Sequence, residues 1–152
     1  MLLTLFWDWD GVVHTEFLQK GQTINSDRYV DTLKRLRVRL QRTRKDKQAI
    51  LQHDNARPHT SHKTQEALQR LRFTDILPHP AYSPDLAPCD FWLFPKLKDH
   101  LKGQRYSCDA EVEAAVRQWC RQQPPQFFAD GIKNLVARWR KCVARNGDYV
   151  EK

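Results

Sequence analysis

The sequence predicts an α/β fold in which a mixed sheet is flanked by helices. Three observations carry that expectation. The chain has 152 residues, enough for one domain with a substantial core. Its hydrophobic content of 40%, with 11% aromatics, suits a globular protein and not a disordered one. Its apolar periodicity changes along the chain in the order strand, strand, helix, strand, helix, strand and then helices.

Leu2 to Trp9 and Val12 to Leu18 are rich in strand formers and flank Asp10-Gly11, a hairpin-turn dipeptide. Asn25-Ser26-Asp27 offers N-cap residues for a helix on which Tyr29, Val30, Leu33, Leu36 and Leu40 recur at helical spacing. The opposite face carries Lys34, Arg35, Arg37, Arg39 and Arg42, and the charge continues through Arg44, Lys45 and Lys47. That face is either solvated or in contact with phosphate. Ala49 to His53 reads as a buried strand ending at Asp54.

Thr60 can cap a second helix with Ala67, Leu68 and Leu71 on its apolar side. Thr74 to Leu77 reads as a further strand, closed by Pro78 and Pro80. Pro84 and Pro88 frame a loop, and Pro88 suits the first position of a helix carrying Asp90. That helix runs through Phe94, Leu97 and Leu101 to Gly103, with a kink at Pro95. Helices over Asp109 to Arg121 and Pro125 to Arg145 follow. The last places Phe128, Ile132, Leu135, Trp139, Cys142 and Val143 on one face, with Gly147 as its stop.

Lys and Arg number 26 against 18 Asp and Glu, a net charge of +8. Such a balance points to a polyanionic partner, most simply nucleic acid. The four cysteines, Cys89, Cys108, Cys120 and Cys142, form no C-x-x-C pair, which argues against a disulfide framework or a zinc site. The apolar start, Met1 to Trp7, is ended by Asp8 and Asp10. It is too short for a transmembrane helix and lacks the basic flank of a signal peptide, so an intracellular protein without a membrane role is expected.

Chemistry concentrates in two strings, His53-Asp54-Asn55-Ala56-Arg57-Pro58-His59 and Tyr82-Ser83-Pro84-Asp85-Leu86-Ala87-Pro88-Cys89-Asp90. Asp54 sits just past a predicted strand and Asp90 in the first turn of a predicted helix, where a fixed backbone holds a carboxylate still. Two-metal phosphoryl transfer needs such carboxylates, and hard Mg2+ prefers their oxygens. Asn55 can orient a metal-bound water or a phosphate oxygen, and Arg57 and His59 can meet phosphate or stabilise the loop. Each residue alone also has an ordinary structural use. Asp-Asn is common turn chemistry, an early helical Asp suits the dipole, His53 suits a core, and Asp85 can cap the loop before Pro88. The five tryptophans read as core residues.

Together these strings resemble the catalytic domain of Tc1/mariner transposases, in the mariner branch. The resemblance also covers Trp7-Asp8-Trp9-Asp10-Gly11-Val12-Val13, Gly21-Gln22-Thr23-Ile24-Asn25 with Tyr29, Arg138-Trp139-Arg140-Lys141-Cys142, and Asn146-Gly147-Asp148-Tyr149-Val150. It implies an RNase H-like fold, an Asp-Asp-Asp metal triad served by Mg2+ or Mn2+, and DNA cleavage followed by joining of the freed 3′ hydroxyl to a target. Asp54 matches the second triad position and Asp90 the third. Asn55, Arg57, His59, Tyr82 and Ser83 match supporting or substrate-contacting places in the same motifs. Between Asp54 and Asp90 lie 35 residues, one more than the mariner pattern usually has, with Arg72 to Asp75 as the expected place of the extra one.

The resemblance also implies what residues 1–152 would lack. The family's first Asp lies on a central strand preceding the Leu2 to Trp9 strand, and Asp8 and Asp10 match the hairpin after it. The helix-turn-helix units that read transposon ends, and the linker used for dimer assembly, would likewise lie outside a partial catalytic domain. The chain alone is therefore expected to be inactive, with a non-catalytic DNA-binding remnant as the alternative. Implied partners are DNA, at transposon ends and targets, and a second copy in a homodimer. The implied location is the nucleus. Mariner domains also occur fused to a histone methyltransferase, but no methyltransferase residues are visible here.

Overall fold

The computed structural model describes residues 1–45, 48–54, 56–73, 75–77, 79–80 and 83–150. Asn55 and Tyr82, with Lys47, Thr74 and Pro78, lie outside the described residues. Residues 2–6 and 13–82 form one compact unit, and residues 1, 7–12 and 83–152 form another.

The predicted hairpin is present as β1 (Leu2–Asp8) and β2 (Gly11–Leu18), paired in a two-stranded sheet. Its turn is Trp9-Asp10, one residue earlier than the Asp10-Gly11 expected. Asp8 Oδ1 accepts the Asp10 N–H at 2.9 Å and closes the turn at once. Gly11, at φ +126°, then opens β2 with a backbone angle that other residues rarely adopt.

In the first unit, α1 (Ser26–Thr43) starts where expected, with Asn25 Oδ1 accepting the Arg28 N–H at 2.9 Å. Its apolar stripe meets one buried cluster of Val13, Tyr29, Leu33, Leu36, Leu51, Leu68 and Phe73. The second predicted helix is split into α2 (Arg57–Thr60) and α3 (His62–Arg70). Ser61, not Thr60, caps α3, its Oγ accepting the Thr64 N–H at 3.2 Å. Pro58 begins a turn immediately, and the Ala56 carbonyl takes the N–H groups of both His59 and Thr60. Thr60 is thus already helical, and the extended Ser61 backbone becomes the cap.

Beyond α3, Arg72 adopts φ +63° while Phe73 donates its N–H to the Leu68 carbonyl at 2.9 Å. This is the left-handed helix stop that glycine normally fills, at a cost of about 1 kcal/mol for a larger residue.

Of the strands expected over 49–53 and 74–77, the described residues show one parallel bridge, between Leu51 and Ile76. Leu51 donates to the Asp75 carbonyl at 3.0 Å, and its own carbonyl accepts from Leu77 at 2.8 Å. Leu51 is buried while Ile50 is 68% exposed, so burial anchors a single residue of the run.

The basic face of α1 has a use that its charge alone does not reveal. Arg35 grips Glu16 on β2 through both Nε and Nη2. Arg37 donates to the Leu71 carbonyl at 2.7 Å with its guanidinium over the Phe73 ring, and Arg39 donates to the Val13 carbonyl at 3.4 Å. Three of the five cations therefore bind α1 to its own unit.

Glu16 also accepts from Thr32 Oγ1 and pairs with His14, both within 2.8 Å. Burial alone would raise its pKa, but Arg35, His14 and Thr32 together bring it from 4.5 down to about 2. Its stabilisation is complete above pH 4.5 and is lost as pH falls towards 2. Allowing for solvent screening of this half-open pair, the loss should be about 1–2 kcal/mol. Thermal melts of wild type and Glu16→Gln should converge between pH 4.5 and 2; a constant gap across that range would refute the role given to Glu16.

In the second unit, α4 (Phe94–Leu101), α5 (Asp109–Gln122) and α6 (Pro125–Ala144) surround an aromatic core. Phe127 sits edge-on to both Trp119 and Phe128, at 5.6 and 5.2 Å between ring centroids. Trp7 and Trp92 pack onto Gly131, the one place on α6 where a missing Cβ makes room for two indoles. Trp9, expected in the core, is instead 46% exposed at the hairpin turn. Val143, expected on the buried face of α6, is 78% exposed. Here α6 runs past its packing partners, and its buried residues stop at Leu135. The helix ends at Ala144, with Gly147 at φ +88° donating to the Cys142 carbonyl at 2.9 Å.

Candidate active site

Asp54 lies in the unit formed by residues 2–6 and 13–82. The Leu51 bridge fixes the chain three residues before it, and α2 begins three residues after it. Between these anchors the carboxylate is oriented from two sides. Its Oδ1 accepts the Ala56 N–H at 3.0 Å and stands 2.6 Å from His59 Nδ1. Burial acts to raise its pKa, yet the Ala56 amide and His59 hold the carboxyl below the usual carboxylate range. Even so, 59% of the side chain faces solvent. Asp54 is therefore ionised, fixed and accessible.

His59 is in turn held by rings. It stacks on His53, with centroids 5.1 Å apart and planes 2° from parallel, and lies 4.0 Å from the Tyr29 ring. The Tyr29 hydroxyl is 2.7 Å from His53 Nδ1. Burial and the Asp54 charge raise the Tyr29 pKa well above its usual value, so the phenol keeps its proton. Burial, with help from His59, pushes His53 down to about 4, so its imidazole is neutral at neutral pH. The direction of the bond between them follows the His53 tautomer. Tyr29 reads in the sequence as one more residue of an apolar stripe. Its polar tip and its place in the family resemblance are the signals of this second duty.

Asp90 lies in the other unit. The chain reaches it through a 3-10 turn over Pro84–Leu86 and buried Pro88. Cys89–Leu93 then winds as a π-helical turn, where a regular first turn of helix is expected. Pro95 explains the widening. It has no N–H to give the Phe91 carbonyl, and the Phe94 N–H reaches back to Cys89 instead. The Asp90 N–H is donated to the Ala87 carbonyl at 2.8 Å. Cys89 is anchored by the Trp7 indole, whose Nε1 is 3.2 Å from Sγ, and Leu93 is fully buried. Asp90 itself is exposed.

Of the other predicted site residues, Arg57 is exposed as the first residue of α2. Ser83 is half-buried, and its carbonyl starts the 3-10 turn by accepting from Leu86 at 3.1 Å. The pair that the structure visibly brings together is Asp54 and His59. Among the described residues, no group of three or more His, Cys, Asp or Glu is gathered to hold a metal ion. Taken singly, the carboxylate of Asp54 in one unit and that of Asp90 in the other have the hard oxygen chemistry that a divalent cation prefers. Also among the described residues, no helix is long and apolar enough to cross a membrane.

The model of the family described as "Transposase (partial DDE domain)" matches residues 1–50. Over 99% of its length the chain is 37% identical to the human histone-lysine N-methyltransferase SETMAR and 39% identical to the mariner Mos1 transposase of Drosophila mauritiana. It spans 22% of the first relative and 45% of the second. The Mos1 catalytic domain solved with raltegravir and Mg superposes with a TM-score of 0.93 at 38% identity, covering 97% of this chain and 75% of that one. The Mos1 paired-end complex with the left transposon end gives 0.94 at 39% identity, covering 97% and 44%. Identity at this level across nearly every residue, with the backbone following the same path, fixes both fold and descent: the chain belongs to the mariner branch of the Tc1/mariner transposases and has the RNase H-like fold of their catalytic domain.

Proposed function

We propose that Asp54 and Asp90 are the second and third carboxylates of a mariner transposase centre that cleaves and rejoins DNA. The observation that carries this reading is Asp54, which is ionised, oriented by the Ala56 amide and His59, and still open to solvent. The Mos1 structures with Mg, with Mn and with a transposon end support the same metals and DNA as the ligands here.

A bound Mg2+ or Mn2+ would polarise phosphoryl oxygens and stabilise the charge that develops on them. Asp54 and Asp90 would bind it, and His59 would hold the Asp54 carboxylate in one orientation. Arg57, exposed three residues after Asp54, would meet phosphate, with Asn55, Tyr82 and Ser83 in supporting roles. The net charge of +8 suits a DNA partner, with transposon ends and target DNA as the two substrates. This reading makes residues 1–152 part of one catalytic domain. It acts in the nucleus, and the paired-end complexes of Mos1 support a homodimer.

The test is Mn2+ binding followed by electron paramagnetic resonance, run beside a DNA-nicking assay. Asp54→Ala and Asp90→Ala should each weaken Mn2+ binding by at least about tenfold. Residues 1–152 assayed alone should not nick DNA above the level of the double variant. Nicking that disappears in both single variants would overturn the expected inactivity and confirm the centre. Salt-sensitive DNA binding with no Mn2+ affinity would instead establish a non-catalytic DNA-binding remnant.

A further inference from the structure

We propose that the segment 146–150 is a strap that positions Asp90, acting through Asp85 and Arg138; the functional half of this inference rests on Asp90 being a metal ligand. The starting observation is Asp85, a carboxylate only 6% exposed. One oxygen, Oδ2, accepts the Val150 N–H at 3.1 Å. The other, Oδ1, is buried without a hydrogen-bond partner among the described residues. Burying a carboxylate with so few donors is costly. Among the described residues its one side-chain bond reaches 65 residues along the chain, to the segment that follows α6.

That segment is shaped to be gripped. After α6, Asn146 at φ +55° and Gly147 at φ +88° turn the chain back. Arg145 Nη1 then donates to the carbonyls of both Tyr149 and Val150, each at 3.1 Å. Val150 is thus held by its carbonyl from Arg145 and by its N–H from Asp85, and its side chain is buried.

From Asp85 the connection to Asp90 is short and bonded throughout. Leu86 and Ala87 donate to Ser83 and Pro84, and the Ala87 carbonyl accepts from both Asp90 and Phe91. Arg138 of α6 holds this same run at two points. Its Nη1 donates to the Asp85 carbonyl at 3.2 Å, and its guanidinium lies 4.2 Å from the centre of the Phe91 ring. The backbone on each side of Asp90 is therefore fixed to the far end of its own unit. A metal-binding carboxylate must be held to within about 0.5 Å, and a surface loop without such ties is not. Asp85 and Arg138 are positioning residues in this scheme.

The experiment compares wild type with Asp85→Ala, Asp85→Asn and Val150→Pro, the last of which deletes the N–H that Asp85 accepts. Amide hydrogen exchange at Ala87, Asp90 and Phe91 should accelerate about tenfold or more in Asp85→Ala and Val150→Pro, while α5 amides stay protected. Mn2+ affinity should fall by about tenfold in the same two variants. Asp85→Asn keeps an accepting oxygen for Val150 and should restore both readings towards wild type. Unchanged exchange in Asp85→Ala and Val150→Pro would overturn the strap, and faster exchange with unchanged Mn2+ affinity would overturn its positioning role. Should Asp85→Ala fail to fold, Val150→Pro decides. A wild-type chain without Mn2+ affinity would sink the metal reading alone, because exchange still decides whether the strap fixes the Asp90 turn.

Discussion

Gly131→Ala should destabilise the unit of residues 7–12 and 83–152 by about 2–4 kcal/mol, although alanine is the better helix former. The added Cβ would lie 2.5 Å from Trp92 Cδ1, 2.8 Å from Trp92 Nε1 and 2.7 Å from Trp7 Cη2. Real Cβ atoms do not approach that closely, so both indoles must move. Neither moves cheaply. Trp92 Nε1 donates to the Phe127 carbonyl at 3.0 Å, and Trp7 packs on Phe128 while its indole N–H holds Cys89. Displacing Trp92 leaves a half-buried donor without its carbonyl, which adds to the steric cost. Displacing Trp7 releases the residue next to Asp90. Thermal denaturation followed by tryptophan fluorescence checks this directly. A midpoint equal to that of wild type would show that the indoles have room that the structure does not reveal.

Phe73→Ala should cost about 3–5 kcal/mol in the other unit. Phe73 is 2% exposed and belongs to the cluster that joins Leu33 and Leu36 of α1, Leu68 of α3, and Leu51. Arg37 covers its ring at 4.1 Å, so truncation leaves a cavity and strands a cation that had packed on the aromatic face. The loss also reaches Asp54. Leu51 packs in that cluster and forms the single bridge to Ile76, three residues before the carboxylate. Tyr29, which contacts both His53 and His59, belongs to it as well. Chemical denaturation measures the effect, and a loss below about 1 kcal/mol would mean that neighbours collapse into the space.

Features that depend on a few adjacent residues were legible in the sequence. Asn25 caps α1 as its side-chain chemistry requires, and α5 and α6 end within one residue of their expected limits. The pairing of Asp54 with His59 falls within one seven-residue string, so motif and geometry coincide. Near misses arose where two local signals competed. Both Asp10-Gly11 and Asp8 could define the hairpin turn, and the Asp8 carboxylate placed it earlier. Thr60 and Ser61 could both cap, and Pro58 assigned the role to Ser61 by starting α2 early. At Pro95 the sequence signalled a break in the helix, and the structure has a π turn under Asp90 just before it.

By itself, then, the sequence determined the family, the two acidic motifs, the hairpin and the places of the long helices, because caps, periodicity and motif spacing are short-range properties. Only the tertiary structure decided what depends on partners far along the chain. It turned the basic stripe of α1 into ties to Glu16, Leu71 and Val13, and it stacked Tyr29, His53 and His59 behind Asp54. Of two expected strands it left one bridge among the described residues, and it gave Asp85 a partner in Val150. Each of these rests on a side chain or backbone group desolvated by a distant neighbour. The energy of burial depends on which surfaces meet, and no local stretch of sequence carries that information.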